Sequence, residues 1–498
     1  MRLFRRCSST SAISKAWFDN GLAFGCTACG KCCVSRTTNV FVNPSEVKAM
    51  AKELTMPLFE FVKLHTEDRE DHGGDELLTS IKNVSGACSL LAADKRTCTV
   101  YNAKPLQCTT YPFWTGNLVG EAEWKAESVR CEGINNRNAP VISSKQIAKQ
   151  LIMSQVHARG IGEDWTAAES GALLEESVAA APDTYTEFLD DFASSYSSRI
   201  LSEEEGVRVV ETTVPASDSS EGEDAVALPR CRTTRRLEFV CSPHVTQTEM
   251  EVRSSGQLNH AALVFPIHRA LGLLALLAIK SLEDSLRSAC VAVIGAGGGA
   301  LPSFLLSAAA PASASASASA PASALVIDAV EPSEEVLAAA FKFFGLSPSP
   351  AVRPLAMTGE EYLLTSNESE SEEGGKGRGG GLDVVIIDAC GGGSEGGEVE
   401  PTAPPRSLFS PPVLGALHGC LAAGGIVAVN VLGPREHEQN LISAVDASGL
   451  FCPVETLYLQ GSPNRLLLFA AGADVDRLRL LAELLLLAKD AGVSRGEE

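Results

Sequence analysis

Residues 454–471 read VETLYLQGSPNRLLLFAA. Two apolar, β-prone runs flank Gly461, Ser462, Pro463 and Asn464, a short turn that folds the second run back beside the first. Upstream, VAVIGAGGGALPSFLL (291–306), ALVIDAVEP (324–332), LDVVIIDACGG (382–392) and LAAGGIVAVNVLG (421–433) each contain a buried strand, and helical stretches separate them. That alternation is the pattern of a doubly wound α/β domain. A purely parallel dinucleotide sheet adds its strands through crossovers, whereas a hairpin ends this one with a reversed strand. The hairpin therefore decides between two kinds of α/β sheet.

The glycine run VAVIGAGGGALPSFLL reads as strand, turn and helix. Gly295, Gly297 and Gly299 let the backbone approach a ligand and aim helix N–H groups at it. Gly295, Gly297 and Ala300 also satisfy G-x-G-x-x-A, so the glycines alone do not separate a nicotinamide cofactor from S-adenosylmethionine. Glu331 ends the next strand, where a carboxylate can hold both hydroxyls of a ribose. It lies farther from the glycines than the roughly 20 residues usual for such a unit. A low-complexity Ala/Ser/Pro insertion at 308–324 accounts for the excess. A second insertion, 366–400, is acidic and Gly-rich and is divided by the strand that ends at Asp388. Both fall between elements, where surface loops tolerate extra chain.

At the other end, FGCTACGKCC (24–33) spells C-x-x-C-x-x-C-C. Thiolates three apart on a tight turn can bind one metal ion together, and Gly30 permits the sharp turn. Cys26, Cys29, Cys32 and Cys33 are followed by Cys88, Cys98, Cys108 and Cys131, so residues 21–140 hold eight of the 15 cysteines. Cys32 and Cys33 are adjacent and would point to opposite sides of an extended chain. Cys33 then serves a different metal or a structural role. Eight thiols suit two four-thiolate sites, or one 4Fe–4S cluster with four further cysteines. Zinc and iron–sulfur both accept soft sulfur ligands, and the count does not choose between them. The bland alternative at each position is a buried reduced cysteine.

The segments FGCTACGKCC, CSLL, CTVY, NAKPLQC, TTYPFW and RCEGIN, in that order over 21–140, resemble the zinc- or iron-chelating CxxCxxCC family, which includes flagellin lysine N-methylases. The family usually has Arg–Pro before the third downstream cysteine. This chain has Lys104–Pro105, which keeps the charge and loses the planar fork. The resemblance implies metal binding, with a link to protein methylation through the flagellin-modifying members.

RRLEFV and TEMEVR, the glycine loop, IDAVEP, LDVVIID and SPPVLGALHGCLAAGGIVAVNVLG together resemble the spermidine synthase-like branch of class I methyltransferases. They are most similar to the C-terminal half of the dual methyltransferases that modify elongation factor 1-alpha. A terminal antiparallel strand after the α/β run is a habit of that class. The resemblance assigns Gly295, Gly297 and Gly299 to the methionine moiety, Glu331 to the ribose and Asp388 to the active-site mouth. Near the adenine, relatives have an acidic residue before glycine. Here Thr358–Gly359 stands there, with Glu360 or Glu361 as substitutes. Polyamine synthases carry a second Asp soon after the one matching Asp388, and here Ala389, Cys390 and glycines follow, which argues against aminopropyl transfer. What remains is methylation of a protein amine, with Asp388 orienting the amine, or a degenerate fold in a metal-binding or assembly protein that is not an enzyme.

The expected architecture is therefore α/β. A class I methyltransferase-like (Rossmann-like) domain covers 231–490. A separate small cysteine-rich, metal-binding α+β domain covers 21–140, followed by a helical extension at 141–200 and an acidic linker at 201–230. Residues 1–20 carry Arg2, Arg5, Arg6 and Lys15, many Ser and Thr, and no acid before Asp19. That is the composition of a mitochondrial or plastid transit peptide. Without such a signal the cytoplasm is the default. The net charge of -21 argues against binding a nucleic-acid backbone. The most apolar run, AALVFPIHRALGLLALLAI (261–279), contains Pro266, His268 and Arg269 and reads as a buried helix, not a membrane span. The expected partner is a protein substrate; nothing indicates the oligomeric state.

Overall fold

The computed structural model describes residues 15–34, 39–70, 77–84, 86–159, 166–180, 183–215, 231–280, 288–309, 325–368, 381–390, 402–452, 454–459, 462–471, 475–488 and 493–494. The chain divides into two compact units. One comprises 1–201, 210–233 and 240–245, and the other 202–209, 234–239 and 246–498.

The second unit contains an eight-stranded sheet. Its strands are β1 (Cys290–Ile294), β2 (Val326–Val330), β3 (Val352–Leu355), β4 (Leu382–Ile387), β5 (Leu421–Val431), β6 (Glu455–Leu459), β7 (Arg465–Ala470) and β8 (Val493–Ser494). Their order is β3-β2-β1-β4-β5-β7-β6-β8. Strands β1 to β5 run parallel, and β7 runs antiparallel to both β5 and β6. The terminal hairpin is where the sequence places it, but its second strand lies inside. RLLLFA is buried at all but its first residue, whereas ETLYL is only partly covered. A strand apolar on both faces needs cover on both, so β7 takes the interior place.

Helices α1 (Pro266–Lys280), α2 (Ala300–Ala309), α3 (Glu334–Phe343), α4 (Gly359–Glu368), α5 (Pro411–Cys420), α6 (Arg435–Ser448) and α7 (Val475–Leu487) complete the unit. One core joins Leu363 of α4, Leu414 and Leu417 of α5 and Leu441 of α6 to Val385, Val427 and Phe469 of the sheet. Burying each such side chain stabilises by about 1.5–3 kcal/mol. Asp383, buried within β4, accepts the Cys290 N–H at 2.9 Å, which satisfies an acid in an otherwise apolar strand. The insertions fall beyond α2 and α4. Residues 310–324, 369–380 and 391–401 lie outside the described residues.

In the first unit, the helix Pro44–Glu53 starts with a full capping box, Asn43 and Glu46 each accepting the other's backbone N–H. It packs with Phe61, Ile81, Leu90 and Val100 in one small core. A second core unites Phe18, Leu22, Trp124 and Cys131 with Ile147, Leu151, Phe188 and Phe192. Two sequence boundaries are corrected by that core. The helices after 141 are not an extension, because the Ile147 and Leu151 stripe needs cover and finds it on the cysteine-bearing segment. Residues 15–20, read as the end of a transit peptide, supply buried Ala16 and Phe18, and the Trp17 indole donates to the Leu118 carbonyl at 2.9 Å. Residues 1–14 of that peptide lie outside the described residues.

The acidic linker expected over 201–230 is also corrected. Strands Ser197–Glu204 and Val207–Pro215 form a hairpin with a two-residue turn at Glu205 and Gly206, both at positive φ. Val207, Val209 and Val210 are buried. Glu203 and Glu204 end the first strand, Glu205 sits in the exposed turn, and the β-branched run after it forms the second strand. With Cys231–Phe239 and Ser242–Val252 these strands make a four-stranded sheet. Residues 216–230 lie outside the described residues.

Candidate functional site

The C-terminal ends of β1, β2, β3 and β4 lead into Gly295, Glu331, Thr358 and Asp388, which line one edge of the sheet. That edge is where ligands of open α/β sheets bind. Gly295 has φ +86, and a Cβ there would lie 2.5 Å from the Asp388 carbonyl oxygen, so only glycine fits between β1 and β4. Gly297, at φ +52, donates its N–H to Glu331 Oε2 at 3.0 Å. Gly298 donates to Thr248 Oγ1 at 2.7 Å. Gly299, also at positive φ, opens α2.

Glu331 is buried, and its Oε1 accepts the Ser333 N–H at 3.2 Å. Burial pushes its carboxyl above the usual range, and the Ser333 and Gly297 N–H groups pull partly back. Thr358 reaches the expected edge, but it caps α4. Its Oγ1 accepts the Glu361 N–H at 3.2 Å, and its own N–H donates to Glu361 Oε2 at 2.9 Å. Glu360 bonds the Ser407 hydroxyl.

Asp388 is gripped on both oxygens. His268 Nε2 stands 2.8 Å from Oδ2, and Asn430 Nδ2 donates to Oδ1 at 2.7 Å. Asn464 in turn donates to Asn430 Oδ1 at 2.8 Å. Asn464 immediately precedes β7, whose reversed direction brings it to the same edge as the end of β5. The sequence reading missed Thr248, His268, Asn430 and Asn464. Asn430 carried a signal, a polar residue near the end of the apolar strand IVAVNV. His268 carried another, as an imidazole in an otherwise apolar helix.

In the cysteine segment, Gly30 has φ +76, and a Cβ there would lie 2.2 Å from the Lys95 carbonyl oxygen. The CxxCxxCC loop thus lies directly on the turn between Cys88 and Cys98. Cys32 acts electrostatically on Cys88, Cys98 and Cys108, and Cys88 and Cys108 act on Cys33. Burial pushes the Cys108 thiol up, and Cys88, Cys32 and Cys98 push it further. Burial likewise raises Cys88 and Cys98. The Cys32 and Cys33 sulfurs are 3.9 Å apart, and a hydrogen bond from Cys33 lowers the Cys32 thiol to about 7 while raising Cys33. Burial raises the Cys131 thiol, with a smaller push from Cys29, and Cys131 lies beside Tyr111, whose hydroxyl donates to Glu127 at 2.6 Å. Cys26 is exposed. Among the described residues, no three Cys, His, Asp or Glu side chains are placed so as to hold a metal ion already. The donor set nonetheless fits a soft cation, since it consists of thiols gathered from several segments of one unit.

The sheet order, with its reversed strand between β5 and β6, defines a class I methyltransferase-like, Rossmann-like domain, and a cysteine-rich domain precedes it in the chain. Residues 25–132 match the CxxCxxCC family, described as a "putative zinc- or iron-chelating domain". An uncharacterized protein of Methanocaldococcus jannaschii is 29% identical over 94 residues, 19% of this chain and 47% of that protein, so the match spans about half of the relative's length. Among solved structures, human methyltransferase-like protein 13 in complex with SAH is 22% identical, covering 47% of this chain and 96% of that one, with a TM-score of 0.34. Spermidine synthase from Thermotoga maritima is 14% identical, covering 59% and 88%, with a TM-score of 0.33. Among the described residues, no helix is long and apolar enough to cross a membrane.

Proposed function

We propose that this protein is an S-adenosylmethionine-dependent methyltransferase acting on a protein amine, with zinc or an iron–sulfur centre held by its CxxCxxCC domain. One observation carries the choice of cofactor. The Gly297 and Gly298 N–H groups are already taken by Glu331 and Thr248. A dinucleotide loop offers such N–H groups to a pyrophosphate, and the Glu331 carboxylate beside them would repel one. S-adenosylmethionine brings no phosphate, only a sulfonium carrying a transferable methyl group. Glu331 keeps lone pairs for the ribose hydroxyls, and Gly295 lets the backbone pass close.

Asp388 supports an amine as the acceptor. Each of its oxygens accepts one hydrogen bond and keeps a further lone pair. It can hold an amine by an N–H and take the proton that the nitrogen releases. For the metal, Cys32, Cys88, Cys98 and Cys108 are the first ligands to test, followed by Cys29 and Cys131. As thiolates they would repel one another, and a bound cation relieves that repulsion.

Two measurements on the full chain test the reading. Calorimetry with S-adenosylhomocysteine should give a Kd of roughly 1–100 µM; no binding would leave a degenerate fold. Metal analysis with visible absorption of anaerobically purified protein separates iron–sulfide from colourless zinc. Cys108→Ser should at least halve the bound metal, and an unchanged content would remove Cys108 from the ligand set.

A further inference from the structure

We propose that Thr248 is a positioning residue for the cofactor loop, locking Gly298 from the neighbouring strand. The inference rests on the S-adenosylmethionine reading above. Thr248 lies in the strand Ser242–Val252, 50 residues before the loop, and is 2% exposed. Its Oγ1 accepts the Gly298 N–H at 2.7 Å in a buried hydrogen bond. Its methyl side packs on the same residue, and a Cβ at Gly298 would lie 2.9 Å from Thr248 Cγ2. A Cβ at Gly297 would lie 2.8 Å from Thr248 Oγ1. Gly298 has no place in the G-x-G-x-G pattern and does not have positive φ. It must be glycine because Thr248 sits against it.

The loop is therefore held from two sides, by Glu331 on Gly297 and by Thr248 on Gly298. Fixing a loop in its binding conformation removes an ordering cost from ligand binding. Thr248 need not touch the cofactor to set its affinity. Valine at 248 keeps the shape, removes the acceptor and leaves a buried N–H without a partner. Serine keeps the acceptor.

The test compares wild type, Thr248→Val, Thr248→Ser and Gly298→Ala in the full chain. Amide hydrogen exchange over 296–301 reads the lock directly, without ligand, and calorimetry with S-adenosylhomocysteine reads its consequence. Thr248→Val should speed exchange and weaken binding by about tenfold. Gly298→Ala should do the same by pushing Thr248 away, while Thr248→Ser stays near wild type. Unchanged exchange in folded Thr248→Val overturns the lock, whether or not the protein binds the ligand. Faster exchange with unchanged affinity overturns the role in binding. If Thr248→Val does not fold, the other two variants decide, and a Gly298→Ala protein with wild-type exchange sinks the proposal. Wild-type protein that shows the lock but binds no S-adenosylhomocysteine refutes the cofactor reading instead.

Discussion

The Nε2 of His268 stands 2.8 Å from Oδ2 of Asp388, across 120 residues of chain. With Asn430 on the other oxygen, Asp388 enters the sheet edge as a fixed carboxylate, and the imidazole proton belongs on Nε2. Among the described residues, buried His268 Nδ1 has no hydrogen-bond partner. The helix α1 thereby acts on the site through Asp388.

If Asp388 takes the amine proton, Asp388→Asn should lower methyl transfer by at least about hundredfold. Its affinity for S-adenosylhomocysteine should stay close to wild type. His268→Phe keeps the ring packed on Phe265 and removes the donor, so it should give an intermediate loss. Tritiated methyl incorporation into a hypomethylated protein extract measures both. Full transfer by Asp388→Asn would end the assignment.

Gly297→Asp should abolish cofactor binding. The new side chain needs a positive φ, meets Thr248, and places a second acid beside Glu331. Metal content should not change. Wild-type affinity in this variant would show that the glycine loop is not the binding site.

Glu331 makes stability depend on pH. Its carboxyl is raised by burial, so the folded state holds the proton more tightly than the unfolded one. The stability this confers is present below the ordinary glutamate pKa of about 4.3 and is lost as pH rises through the raised value. Wild type should therefore lose thermal stability relative to Glu331→Gln on moving from acid to neutral pH. Parallel Tm-against-pH curves for the two proteins would contradict a Glu331 carboxyl raised by burial.

Gly30→Ala strains a left-handed residue and pushes a methyl group into the Lys95 carbonyl. It should destabilise the cysteine segment by about 2 kcal/mol or more and reduce bound metal. Denaturant unfolding with metal analysis checks this. A variant with normal stability and metal would mean that the loop does not depend on its seat against the 95–96 turn.

Much of this was legible in the residues themselves. The glycine loop, the acid after β2, the strand ending at Asp388, the terminal hairpin and the CxxCxxCC run are short-range patterns. Each follows from turn chemistry, strand periodicity or ligand spacing within a few residues. Thr358 lies on the sheet edge that carries the glycine loop, and its role as a helix cap depends on Glu361 three positions on. The hairpin at 197–215 was hidden because its charged turn outweighed the β-branched residues behind it.

The sequence by itself determined most of the α/β elements and which residues are candidates for the site, because backbone preference and hydrophobic period act locally. Only the tertiary structure decided which of those residues meet. Asn464 reaches Asn430 because the reversed strand returns to the sheet edge where β5 ends, while Thr248 reaches Gly298 from a strand of the four-stranded sheet and His268 reaches Asp388 from helix α1. Cys108 feels Cys32, and Cys131 feels Cys29, through loops and helices that are remote in the chain. Such contacts leave no periodic trace along the chain, since their spacing is set by packing and not by the pitch of any helix or strand.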